Sequence, residues 1–125
     1  LENKYSIEKW KETYIKVIKR TQAALPNTTL VLCEPFLLPF NWSEGKTKSW
    51  VAIVKAMQTI VRQLAKEHKT IFVSLQEPFN KAKEKAPAKY WVWDGVHPMP
   101  AGHELIARHW IKEVSKKLDF LKNYR

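Results

Sequence analysis

Trp91-Val92-Trp93-Asp94-Gly95-Val96-His97-Pro98-Met99-Pro100-Ala101-Gly102-His103 is the stretch on which the reading of this chain turns. It holds one of only two aspartates in the sequence, with a histidine three residues later. A carboxylate beside an imidazole can fix the ring's tautomer and orientation, which makes the ring a directed base. Pro98 biases His97 toward extended backbone. Pro98 and Pro100 lock their own φ angles and have no N–H to give to a helix or a sheet. Gly95 can adopt a turn conformation that a Cβ disfavours. The expectation is a stiff loop that holds Asp94 and His97 in a set relation.

Outward from this loop, apolar residues recur at helical spacing. Downstream, residues 101–118 read as a helix with Leu105, Ile106, His109, Trp110, Val114 and Leu118 on its buried side. A basic tail, 119–125, follows. His103 and His109 are six apart, too far round the helix to form a metal-binding pair, and His103 reads as a hydrogen-bonding support for the loop. Upstream, Tyr90 to Trp93 reads as extended, with Trp91 and Trp93 on one face. Residues 76–86 read as a short helix with Pro78 in its first turn and Pro87 ending it. Residues 70–75 read as a strand. Residues 49–68 read as a helix capped by Ser49, with Val51, Val54, Met57, Ile60, Val61, Leu64 and Ala65 as its apolar stripe. His68 lies near its C-terminus, where a cation suits the dipole.

Residues 34–48 read as a long loop punctuated by Pro35, Pro39 and Gly45, yet rich in Phe36, Leu37, Leu38, Phe40 and Trp42. Such an apolar loop either walls a ligand crevice at the carboxyl end of a strand or packs over the core. Residues 29–34 read as a buried strand. Residues 6–25 read as a helix capped by Ser6, with Ile7, Trp10, Tyr14, Val17, Ile18 and Leu25 as its stripe and Pro26-Asn27 as its stop. Strand, helix and strand at this spacing imply an α/β fold with a right-handed parallel crossover. Two parallel strands alone make a poor sheet, and the open edge asks for a partner. That partner would be a missing N-terminal half, a companion chain or a second copy.

Trp93-Asp94-Gly95-Val96-His97-Pro98, followed by Pro100-Ala101-Gly102-His103 and a helix, resembles the last conserved block of the SGNH/GDSL hydrolases. These are esterases, lipases and deacetylases with a Ser–His–Asp triad on a flavodoxin-like sheet. The resemblance covers the whole chain but only the C-terminal part of the family's domain. It implies that residues 1–125 are the C-terminal portion of a single three-layer α/β/α sandwich. It implies Asp94 as the orienting carboxylate, His97 as the general base, a small-molecule or carbohydrate ester as substrate, and no cofactor. The family's Gly-Asp-Ser nucleophile block and its Gly and Gly-x-Asn-Asp oxyanion residues have no match here. The three glycines, Gly45, Gly95 and Gly102, lie elsewhere. Alone, the chain is expected to be inactive, supplying the Asp–His half. Of Ser6, Ser43, Ser49, Ser74 and Ser115, only Ser43 and Ser49 fall on the expected active-site side, and neither sits in a Gly-flanked elbow.

A length of 125 residues fits one domain with a real core. The formal charge of +10 keeps a second function class open, a non-enzymatic basic module for an anionic polymer. The basic residues are spread over the polar faces of the predicted helices, so a nucleic-acid partner is not expected. The lone Cys33 lies in an apolar run and reads as a buried, inert thiol. A single cysteine fits a reducing compartment. Leu1-Glu2-Asn3-Lys4 lacks an apolar signal-peptide core. These features favour a cytoplasmic site with no membrane span. The sequons Asn27-Thr28-Thr29 and Asn41-Trp42-Ser43 would matter only in a glycosylating route.

Overall fold

A computed structural model of the chain describes residues 6–124. The first helix begins where Ser6 caps it. The Ser6 hydroxyl accepts from the Lys9 N–H at 3.3 Å, and α1 runs Ile7–Ala24. Strand β1 (Val31–Cys33), helix α2 (Glu44–Glu67) and strand β2 (Ile71–Val73) follow. Then come α3 (Gln76–Lys85), a single helical turn α4 (Ala88–Trp91), α5 (Pro100–Val114) and a 3-10 helix, Asp119–Tyr124.

The two strands pair in parallel, with Val31 opposite Ile71, Leu32 opposite Phe72 and Cys33 opposite Val73. Side chains alternate across a strand, so each face of this small sheet has its own apolar set. On one face, Leu32 packs with Ile18 of α1 and with Val61, Leu64 and Ala65 of α2, and Trp10, Tyr14 and Phe72 close around them. On the other, Val73 packs with Leu75 and with Val114 of α5, joined by Val31, Ile71, Ile106, Trp110, Leu118 and Leu121. Helices thus cover both faces, the three-layer α/β arrangement expected from the sequence. A third cluster of Leu38, Phe79, Ala88 and Val92 lies under the 34–43 loop and the Asp94 loop.

The structure moves several boundaries. Ser43, not Ser49, caps the second helix. Its hydroxyl accepts from the Lys46 N–H at 3.3 Å, and Glu44 takes the first turn, where an acidic side chain suits the dipole. Gly45, read as a loop breaker, lies in that first turn. Trp91 lies in a helical turn, so Trp91 and Trp93 do not alternate along a strand: Trp91 is half-buried and Trp93 exposed. Helix α5 stops at Val114, and the tail folds back as the 3-10 helix, with Leu121 packed on the core. Val17 and Leu25, placed in the first apolar stripe, are exposed.

Cys33 is also exposed, against the expectation of a buried thiol. It is the last residue of β1, which has a paired neighbour on one side only. Partial desolvation still pushes its thiol above the ordinary value, which disfavours the reactive thiolate.

Glu34, read from sequence only as the end of the strand, is 4% exposed and fully engaged. One carboxylate oxygen accepts from the Ser74 hydroxyl (2.7 Å) and from the N–H groups of Leu75 (2.9 Å) and Gln76 (3.0 Å); the other accepts from Arg62 (3.1 Å). Burial pushes the carboxyl up, but the Gln76 N–H, the Ser74 hydroxyl, the Leu75 N–H and Arg62 together hold it below the usual range. The Gln76 side chain bonds both backbone groups of Leu37, and Gln58 donates to the Pro35 carbonyl. These bonds pin the 34–43 loop to α2 and α3. Glu34→Ala strands buried N–H groups and is expected to cost on the order of 3 kcal/mol in denaturant unfolding. A loss below about 0.5 kcal/mol, the size of an ordinary surface change, would contradict this role.

Candidate active site

The Asp94 loop is closed by backbone bonds before any side chain acts. Val92 and Pro98 form an isolated antiparallel bridge. The Trp93 N–H donates to the His97 carbonyl (3.1 Å) and the Met99 N–H to the Trp91 carbonyl (2.8 Å). Within this closure, Oδ1 of Asp94 accepts from the N–H groups of Val96 (3.0 Å) and His97 (2.9 Å), as Asp does in turns. That leaves Oδ2 facing Nδ1 of His97 at 2.7 Å.

The loop is also held from outside. Gly95 sits at φ +103°, the left-handed region that favours glycine. A Cβ there would lie 2.7 Å from Cζ2 of Trp42. The Trp42 indole N–H donates to the Asp94 carbonyl (3.1 Å), and the Leu38 N–H donates to the Gly95 carbonyl (2.9 Å). Of the two readings weighed for the apolar loop, the packing over the core is the one these contacts show. Leu37 and Leu38 are buried, and Phe36 stacks on Phe79 at 4.0 Å. Trp42 meanwhile braces Asp94. Residues 42 and 94 are far apart in sequence, and no spacing signals that contact. His103 does not brace the loop through its ring: the side chain is exposed beside Trp110, Phe120 and Tyr124.

The electrostatics follow from these bonds. Partial desolvation pushes the Asp94 carboxyl up, but the His97 and Val96 N–H groups and the His97 ring outweigh it and lower its pKa to about 2 from an ordinary 3.8. A depressed carboxylate pKa adds stability that is present above the unfolded value and lost as pH falls through the folded one. Asp94 therefore stays ionised, and its grip on His97 persists, until pH falls from about 4 toward 2. The imidazole itself is 66% exposed and stacks against Trp93, with ring centroids 5.5 Å apart. An oriented, accessible imidazole whose Nδ1 is occupied can exchange a proton through Nε2.

The serine hydroxyls have other tasks: Ser6 and Ser43 cap helices, Ser74 donates to Glu34, and the buried Ser115 donates to the Lys112 carbonyl. Ser49 lies inside α2. Among the described residues, no group of three or more His, Cys, Asp or Glu side chains is placed to hold a metal ion. None of the described helices is long and apolar enough to cross a membrane.

The chain resembles known proteins in sequence and in fold. The model of the GDSL-like lipase/acylhydrolase family matches residues 1–105. An acetylxylan esterase from Geobacillus stearothermophilus is 28% identical over 85 residues, which cover 68% of this chain and 37% of that protein. A solved structure from Parabacteroides merdae, described as a GDSL-like lipase, superposes with a TM-score of 0.82 at 36% identity, covering 91% of this chain and 52% of that one. A solved form of the Geobacillus enzyme superposes with a TM-score of 0.71 at 23% identity, covering 87% of this chain and 47% of that one. Its solved catalytic mutants replace a serine, an aspartate, or a histidine three positions after that aspartate. The chain thus spans about half the length of these solved structures and less of the curated relative. It belongs to the GDSL-like lipase/acylhydrolase family.

Proposed function

We propose that this chain supplies the acid–base half of a carboxylic-ester hydrolase, with Asp94 as the orienting carboxylate and His97 as the general base. The observation that carries this reading is the 2.7 Å bond from Asp94 to Nδ1 of an exposed imidazole, with the other carboxylate oxygen held by two backbone N–H groups. Family membership supports the reaction class. The aspartate–histidine spacing in the mutants of the Geobacillus esterase is that of Asp94 and His97.

The reaction is acyl transfer. A serine hydroxyl from another segment attacks the ester carbonyl while Nε2 of His97 takes its proton. The bond to the leaving oxygen then breaks, and Nε2 returns that proton to the departing alkoxide. Water repeats the cycle on the acyl-serine and releases the acid. Asp94 stabilises the imidazolium formed in each half and does not itself take the proton. The segment that brings the serine also brings the oxyanion donors. Residues 1–125 are then the C-terminal portion of one hydrolase domain. The open edge of β1 is where the rest of the sheet would add, from the same polypeptide, a companion chain or a second copy. The acetylxylan relative favours a carbohydrate ester over other small esters.

The test is p-nitrophenyl acetate hydrolysis by this chain joined to a nucleophile-bearing segment. His97→Ala is expected to lower turnover by about 10⁴-fold or more. A variant that keeps more than about a hundredth of the activity would refute the assignment, because an intact base is worth at least that factor.

A further inference from the structure

Beside the Asp94–His97 pair lies a cleft of ≈ 460 Å³ lined by Phe40, Trp42, Trp50 and Trp93, with Asn41 and Lys46 among them. That size falls within the range of ligand sites, roughly 300–1,000 Å³. The core clusters do not account for all these rings. Trp50 is 39% exposed on the first turns of α2, and Trp93 is 62% exposed. Large rings left in water beside one another are costly unless something covers them in use.

The rings divide by what already touches them. Trp42 is committed to the protein: it braces Gly95 and Asp94, and the Lys46 ammonium sits 4.1 Å above its ring. Trp50 stands 6.3 Å from it at an angle of 59°. Trp93 carries His97 against it. The open surface of the cleft is therefore Trp50 and the outer part of Trp93. Lys46 has no carboxylate partner among the described residues, since neighbouring Glu44 pairs with Lys48. Asn41 is exposed.

Flat aromatic surface interleaved with an ammonium that no carboxylate neutralises and an amide suits a ligand that is itself divided in this way. A pyranose ring has apolar C–H faces and a rim of hydroxyls. An aliphatic acyl chain would make no use of Lys46 and Asn41 and would call for an enclosed apolar slot instead of an open cleft. The geometry points to a glycan-ring subsite in which Trp50 and Trp93 stack a sugar ring, Lys46 and Asn41 bind its hydroxyls, and an ester on that ring lies toward His97. This inference deepens the hydrolase reading and rests on it for the identity of the bond at His97.

The test is binding, read without turnover. The 125-residue chain, ¹⁵N-labelled, is titrated with a xylo-oligosaccharide that carries no acyl groups, and in parallel with hexanoate. The indole N–H signals of Trp50 and Trp93 are expected to move saturably with the sugar. Trp50→Ala should weaken binding about tenfold, as loss of one stacking ring does, and Lys46→Gln should weaken it less. Indole signals that stay still with the sugar, or that move with hexanoate alone, would overturn the subsite. The two readings fail separately. Sugar binding with no hydrolysis in the joined enzyme would leave the subsite and remove the hydrolase. Hydrolysis of p-nitrophenyl acetate without sugar binding would do the reverse.

Discussion

Asp94→Asn is expected to lower ester hydrolysis by about 10⁴-fold in the joined enzyme, while leaving the loop folded. The size of the effect follows from which oxygen is already used. Oδ1 accepts two backbone N–H groups, from Val96 and His97. In the variant those donors require the amide oxygen at that position. The amide NH2 must then point at Nδ1 of His97. A donor facing Nδ1 forces that nitrogen to accept, so the ring proton moves to Nε2, the atom that has to take the serine proton. The loss is thus one of tautomer, with little change in position, and it should fall on kcat more than on KM. The pH profile gives a second check. Asp94 remains ionised down to about 2, so an acid limb in the wild-type profile belongs to another group. An Asp94→Asn variant that keeps a tenth of wild-type turnover would contradict the account.

Gly102→Ala should lower the melting temperature by about 8 °C. Gly102 is the third residue of α5, where alanine is normally the better helix former by about 1 kcal/mol. Here a Cβ would overlap the Trp91 carbonyl oxygen and lie 3.1 Å from Cβ of Pro98. Both neighbours are held: the Trp91 carbonyl already accepts from Met99, and Pro98 belongs to the bridge with Val92. Neither can swing away as the end of a long side chain could. Overlap of this kind in a packed region costs about 3 kcal/mol, so the steric term wins by about 2 kcal/mol, or about 8 °C at this chain length. Gly45→Ala is the control. A Cβ at Gly45 meets nothing within 4 Å, and that change should leave the melting temperature unchanged or slightly raised. Equal melting temperatures for the two variants would show that α5 is not seated on the Trp91 turn.

How far the sequence reached depended on whether the deciding contact was local. The α/β class, the parallel pair and the helix on each side were legible, because apolar spacing within each element reports the face it buries. The Asp94–His97 pair was legible for the same reason: three residues, two prolines and a glycine contain most of its geometry. The start of α2 was misplaced because Ser43 and Ser49 are both acceptable caps, and Gly45 between them looked like a break. Cys33 was read as buried because an apolar strand implies neighbours on both sides, whereas β1 has one. Glu34 and Trp42 stayed hidden because their partners, Ser74 to Gln76 and Asp94 to Gly95, lie 40 or more residues away in the chain. Such pairings are set by the packing of loops over the sheet, which no periodicity encodes.

The central claim is that one carboxylate fixes where the proton sits on one imidazole, and this can be read without substrate. In ¹⁵N-labelled chain with the His97 ring neutral, the account predicts an attached, downfield-shifted proton on Nδ1 and a bare, pyridine-like Nε2, both lost in Asp94→Asn. A neutral ring carrying its proton on Nε2 in the wild type would contradict it.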